Sequence, residues 1–204
     1  DGNTDEDFSV ALLNGTTVSG VGTSCGVGVC AYGKTVCDGG SSIVCDNEAN
    51  ATGEICDNQD NDCDGLTDGA DASDLEINDL QDCALSAGVC AGATKPASLC
   101  YWGYWHTCAT QEYGSDFEYG TELSCDGLDN DCDGNVDEDF SADLLDGSTV
   151  IGVGSACGTG ICAGGATACL PAGMGNGIYC PSEEDATTES CDDSDNDCDG
   201  SLDE

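Results

Sequence analysis

Apolar residues in this 204-residue chain stand in short runs, interrupted by glycine and by acidic side chains. Asn14-Gly15 and Asp146-Gly147 lie between such runs, the signature of a two-residue hairpin loop. Val18 and Val21, and likewise Val150, Ile151 and Val153, suit strands broken by glycine. One stretch alone, "SDLEINDLQDCALS" at 73–86, has helical spacing, with Leu75, Leu80 and Leu85 on a common face. The pattern therefore predicts turns, short hairpins and one short helix.

These elements recur. "DEDFSVALLNGTTVSGVGTSCGVGVC" at 5–30 returns at 137–162 as "DEDFSADLLDGSTVIGVGSACGTGIC", and cysteines fall six to a repeat. The repeats are 1–69, 70–138 and 139–204; the middle one is a variant without the hairpin segment. The expected fold class is small disulfide-rich repeats, mostly loops and short β-hairpins with little helix, strung into an elongated tandem array. Aromatic residues are scarce, so cystines replace most of a core. Eighteen cysteines make nine disulfides, expected within repeats and in an oxidising, extracellular setting.

Charge changes the picture most. There are 42 acidic side chains against Lys34 and Lys95, a net charge of −40. Nucleic acid and anionic membrane surfaces are excluded as partners, because phosphate contacts need Lys and Arg. No stretch is apolar enough to span a bilayer. Such a density of like charge destabilises a compact state unless cations or solvent offset it.

The acids are not scattered. "CDNQDNDCDGLTDG" from Cys56, "CDGLDNDCDGNVDE" from Cys125 and "CDDSDNDCDGSLDE" from Cys191 are one phrase in three copies. Alternating Asp followed by Gly is how a short loop wraps calcium, a hard cation that takes six to eight oxygens. The candidate ligands are Asp57, Asp60, Asp62, Asp64 and Asp68 in the first copy. The second offers Asp126, Asp129, Asp131, Asp133, Asp137 and Glu138, the third Asp192, Asp195, Asp197, Asp199, Asp203 and Glu204. The first copy has Gly69 where the closing Glu belongs, so it would borrow an acid, with Asp71 nearest in sequence. One calcium ion per repeat is expected. Copper and zinc prefer imidazole and thiolate, and the chain has one His and one Met. The competing reading, a solvated halophilic face, requires neither a fixed register nor glycine.

The phrase resembles the calcium cage of LDL-receptor class A repeats, a likeness that implies ligation by Asp126, Asp131, Asp137 and Glu138. It is more similar to the metal-binding repeat of secreted bacterial and archaeal surface proteins, whose motif runs ExCDGxDNDCDGxxDE after a GxGxC stretch such as "CGVGVC". That resemblance implies an extracellular metal-binding module; one relative is associated with copper.

Other features weigh less. "CYWGYWHTC" at 100–108 is read as the local core of the middle repeat, with a binding face around Tyr101–His106 as the alternative. Asn14 and Asn50 head glycosylation sequons. Catalysis has no support: a Ser-His-Asp device would have to use His106, and nothing places a serine beside it. The opening "DGNTDEDF" repeats half of the acidic phrase, so Asp1, Asp5 and Glu6 are candidates for a metal shared with a neighbouring copy, joined head to tail. The expected function is a secreted, calcium-binding structural repeat of a cell-surface filament or adhesive stalk, with a metal- or ligand-sequestering module as the alternative.

Overall fold

A computed structural model describes residues 6–204. Asp1 and Asp5 lie outside the described residues. The described chain falls into two compact units: one ends at Ala84 and takes back Thr94–Cys108, the other consists of Leu85–Ala93 and Ala109–Glu204.

In the first unit β1 (Ser9–Ala11) pairs antiparallel with β2 (Thr17–Ser19), Val10 opposite Val18. The loop has three residues, not two. Leu12 and Thr16 still pair through a backbone hydrogen bond of 2.8 Å, and Gly15 N–H returns to the Leu12 carbonyl at 2.9 Å. Gly15 takes φ of 76°, the left-handed residue that closes this kind of loop. Asn14 Oδ1 accepts both the N–H and the hydroxyl of Thr16. β3 (Ser24–Cys25), β4 (Gly33–Asp38) and β5 (Ser42–Cys45) form the one three-stranded sheet among the described residues. Thr35, fully buried, donates its hydroxyl to Gly20 O and accepts Thr23 N–H, fastening the first hairpin to this sheet.

The predicted helix is shorter than its apolar spacing suggested. α1 covers Ala72–Asn78 and buries Leu75 alone of the three leucines; Leu80 is exposed and Leu85 lies well beyond its end. It stops where Asp79 turns its carboxylate away, accepting the Trp105 indole N–H at 2.8 Å and Cys56 N–H at 3.2 Å. β6 (Cys100–Tyr101) and β7 (Tyr104–Trp105) then make a tight hairpin. Trp105 packs on Leu75, Ala97 and Cys100, as a core residue should, whereas Trp102 and Tyr104 face solvent.

The second unit contains a 3-10 turn at Gly88–Cys90 and then α2 (Thr110–Tyr113), a single turn that the sequence pattern did not suggest. β8 (Ser141–Asp143) and β9 (Thr149–Ile151) repeat the first hairpin in the same register, again with a three-residue loop. β10 (Ala156–Cys157) pairs with β11 (Gly165–Ala166), and β12 (Ala168–Cys169) with β13 (Ile178–Tyr179). No helix among the described residues is long and apolar enough to cross a membrane.

Each buried cluster is small and built on cystine: Leu12 with Cys25 and Cys45, Leu75 with Cys100, Leu144 with Cys157 and Cys180. Burying one leucine contributes about 1.5–3 kcal/mol, and one disulfide about 2–4 kcal/mol, so the covalent links outweigh the cores.

Two expectations about cysteine fail. Among the described residues there are eight disulfides rather than nine, with Cys37 and Cys191 free and exposed. Pairing is also not confined to repeats. Cys56 bonds Cys100 and Cys125 bonds Cys169, each reaching from an acidic phrase into the hairpin of the following repeat. Packing explains the first: α1 seats Leu75 on Ala97 and Cys100, and the chain at Gly69 lies so close that a Cβ there would come within 2.4 Å of the Ala97 carbonyl. That contact carries Cys100 to Cys56.

Candidate metal centre

Each acidic phrase is preceded by a glutamate that staples it. Glu54 is fully buried and accepts Asn61 N–H through Oε2 (2.8 Å) and Asp68 N–H through Oε1 (2.7 Å). Glu189 holds Asn196 (2.6 Å) and Asp203 (2.9 Å) in the same way, and Glu122 holds Asn130 (2.8 Å). These glutamates were not among the expected site residues, although their place two or three positions before the cysteine was visible.

Between the staples the chain is a run of Asx turns, in which an Asp carboxylate caps the N–H two residues on. Asp57, Asp62 and Asp64 cap Gln59, Asp64 and Leu66. Asp126, Asp131 and Asp133 do so for Leu128, Asp133 and Asn135, and Asp192, Asp197 and Asp199 for Ser194, Asp199 and Ser201. One oxygen of each turn is spent on the backbone. The second oxygens of Asp62 and Asp64 accept no hydrogen bond among the described residues.

The sharp bend comes where Gly65, Gly134 and Gly200 take φ of 97°, 99° and 90°. Their N–H groups go to Oδ2 of the buried Asp60, Asp129 and Asp195, at 3.1 Å each. The other oxygen, Oδ1, is buried without a partner in all three copies. Asp60 rests on the 3-10 turn Gly28–Cys30: Val29 N–H donates to Asp60 O, and a Cβ on Gly28 would lie 2.5 Å from the Asp60 carboxyl carbon. Cys63, Cys132 and Cys198 also take left-handed φ, of 67°, 63° and 64°, and are tied to Cys30, Cys90 and Cys162. The GxGxC stretch thus forms the floor of the first and third loops, and Ser86–Cys90, with Gly88 against Asp129, forms that of the second.

Carboxylates converge on this floor. Oxygens of Asp60, Asp62 and Asp64 lie within 4.8 Å of one another, as do those of Glu54, Asp62 and Asp71. Calcium ligands sit about 2.3–2.6 Å from the ion, so opposite ligands stand about 5 Å apart; the spread is that of one coordination sphere. Asp71 is buried with Oδ2 unpartnered and is grouped with Glu54 and Asp62, in the loop where Gly69 stands in place of a closing Glu. In the second copy Glu138 has a buried, unpartnered Oε2.

The electrostatics follow. Burial pushes the Asp60 carboxyl above its ordinary value, with Asp62 and Asp64 adding to it. Burial also raises Asp71 and Glu54, each beside Asp62. In the second copy it raises Asp131, beside Asp133, Asp139 and Asp129, and Glu138, beside Asp133 and Asp131. Buried like charges of this kind require either protons or a cation.

Other expected ligands face elsewhere. Asp68 Oδ1 accepts the N–H groups of Asp57 and Asn58, Asp137 those of Asp126 and Gly127, and Asp203 those of Asp192 and Asp193. Asp68 and Asp137 lie against the sulfurs of Cys56–Cys100 and Cys125–Cys169. Asp57, Asp126 and Asp192 stand at the solvent side as turn caps, and Glu204 is exposed. Glu6 packs against Gly20 as Glu138 packs against Gly152, and its Oε2 is likewise buried and unpartnered.

The model of the Cu-binding MopE family, described as "Putative metal-binding motif", matches residues 45–69, 120–138 and 181–204, one third of the chain. The chain carries this motif three times. All three matches span a glutamate staple, the Asx turns and the left-handed glycine, so the MopE-type motif and the acid-lined loop are one object. No curated protein and no solved structure matches the chain. The motif makes the chain a metal-binding module. Carboxylates dominate the groups that could hold the ion: of the cysteines inside the matched segments Cys191 alone is free, and His106 is stacked on Tyr101 at 3.5 Å outside every motif.

Proposed function

We propose that the chain is a secreted calcium-binding structural module, a repeat segment of a cell-surface filament or adhesive stalk. Calcium in the three loops would offset the charge of −40 and stiffen repeats that disulfides already connect. The observation that carries this reading is the buried oxygen without a partner at Asp60, Asp129 and Asp195, each at the glycine bend of an acid-rich loop. A hard cation suits that donor set; Asp60, Asp62, Asp64 and Asp71 would hold it in the first loop. Eight disulfides fit an oxidising compartment.

Isothermal titration of the chelator-stripped chain tests it. About three calcium ions per chain, with a rise in melting temperature on saturation, is the expected result. Many weak sites with no stabilisation would point instead to a solvated acidic face. The motif family's name favours copper as a second reading. Copper bound more tightly than calcium, with the optical band of a thiolate or imidazole ligand, would replace calcium in the proposal.

A further inference from the structure

The two free cysteines occupy positions that are bonded elsewhere in this chain. Cys37 is the third cysteine of its repeat and lies in β4 opposite Ile43 of β5. Its counterparts are Cys100, opposite Trp105, and Cys169, opposite Ile178, on the corresponding hairpins. Both counterparts are disulfide-bonded, to Cys56 and Cys125 of the preceding acidic phrase. Cys191 is the next member of that second series. It opens its phrase as Cys56 and Cys125 do, and Asp203 receives Asp192 and Asp193 N–H as Asp68 and Asp137 receive theirs. In the two bonded phrases that same Asp stands against the disulfide.

Spacing follows one rule: both bonded pairs are separated by 44 residues, and each joins the opening cysteine of an acidic phrase to the third cysteine of the repeat that follows.

We infer that Cys37 and Cys191 are complementary halves of an inter-repeat disulfide, Cys191 of one copy of this chain bonding Cys37 of the next. The oxidant is a small-molecule disulfide such as oxidised glutathione. The Cys191 thiolate attacks it, forming a mixed disulfide and releasing one thiolate. The Cys37 thiolate of the second copy then attacks the Cys191 sulfur and releases the other. Two protein thiols lose two protons and two electrons, and one small disulfide becomes two thiols. The pairing holds whichever metal occupies the loops, and it makes head-to-tail growth covalent.

The test uses two variants, Cys37→Ser and Cys191→Ser, each an exposed substitution that leaves the eight native disulfides in place. In a glutathione redox buffer each variant alone should remain at the 20.5 kDa chain mass on non-reducing gels. An equimolar mixture should give a band at twice that mass, and proteolysis should yield one peptide pair joining Cys37 to Cys191. The unsubstituted chain should give a ladder. A monomeric mixture, equal dimerisation of either variant alone, or an internal Cys37–Cys191 bond in the unsubstituted chain would each overturn the inference. The mixture is run in calcium and in chelator. Dimer under either condition supports the disulfide even if the loops prove to bind no calcium, and monomer under both overturns it while leaving the calcium reading standing.

Discussion

A carboxylate here either gives both oxygens to hydrogen bonds, as Asp57 does, or keeps one oxygen free for a cation, as Asp62 does. Asp57 is committed to its turn, whereas Asp62 stands in both carboxylate clusters of the first loop. Asp62→Asn is therefore expected to weaken calcium binding at that loop at least tenfold, with Asp57→Asn changing it little; titration of the two variants side by side checks this. Glu54→Gln replaces a buried carboxylate that accepts two N–H groups with an amide that can accept only one of them well. A charge-assisted hydrogen bond contributes about 1.5–3 kcal/mol, and a loss of that size should appear in urea unfolding even without metal. The raised carboxyls set the pH response. Asp60, Asp71, Asp131, Glu54 and Glu138 hold protons more tightly folded than unfolded. Their contribution to the stability of the metal-free fold is present in full below the ordinary values of 3.8 for Asp and 4.5 for Glu, and is lost as pH rises through them toward the folded values. Saturating calcium should reverse that slope, because the ion binds the deprotonated form. Melting curves from pH 3.5 to 7 in chelator and in calcium read both signs.

At the scale of the element, the floor under each loop is as specific as the loop. Gly28 and Gly39 take similar φ, 54° and 65°, but a Cβ on Gly39 meets nothing within 4 Å, whereas one on Gly28 would sit 2.2 Å from Asp60 O. Gly39→Ala is expected to cost only the left-handed penalty of about 1–2 kcal/mol. Gly28→Ala should cost more and also lower calcium affinity in the first loop, since Asp60 must move; comparing both variants by urea unfolding and titration isolates that contact. The loops and hairpins were legible because their signals are local: Asp and Gly at fixed offsets, Asn14-Gly15 between apolar residues. The end of α1 was not, because the side chain that ends it, Asp79, is held by Trp105, 26 residues away. Cystine pairing was illegible for a related reason. Cys56 and Cys100 belong to different repeats, and the contact that joins them is the packing of Leu75 and Gly69 on a hairpin whose position no spacing reveals.

For the whole molecule, a charge of −40 on 204 residues leaves two physical remedies, general screening and specific ligation, and these respond differently to salt. Screening shortens the Debye length from about 10 Å at 0.1 M to about 3 Å at 1 M. That relieves repulsion between distant acids, but barely touches oxygens within 4.8 Å of one another around a buried floor. In chelator, molar sodium chloride should therefore raise the melting temperature part of the way and no further. Calcium at about one hundred times its dissociation constant adds about 2.7 kcal/mol for each independent site, and should supply the remainder at millimolar concentration, where its screening is negligible. A metal-free chain that reached its full melting temperature in sodium chloride alone would behave as a solvated acidic surface. A second, calcium-dependent increment that persists at high salt belongs to ions held inside the loops, because screening cannot place a positive charge between Asp60, Asp62 and Asp64.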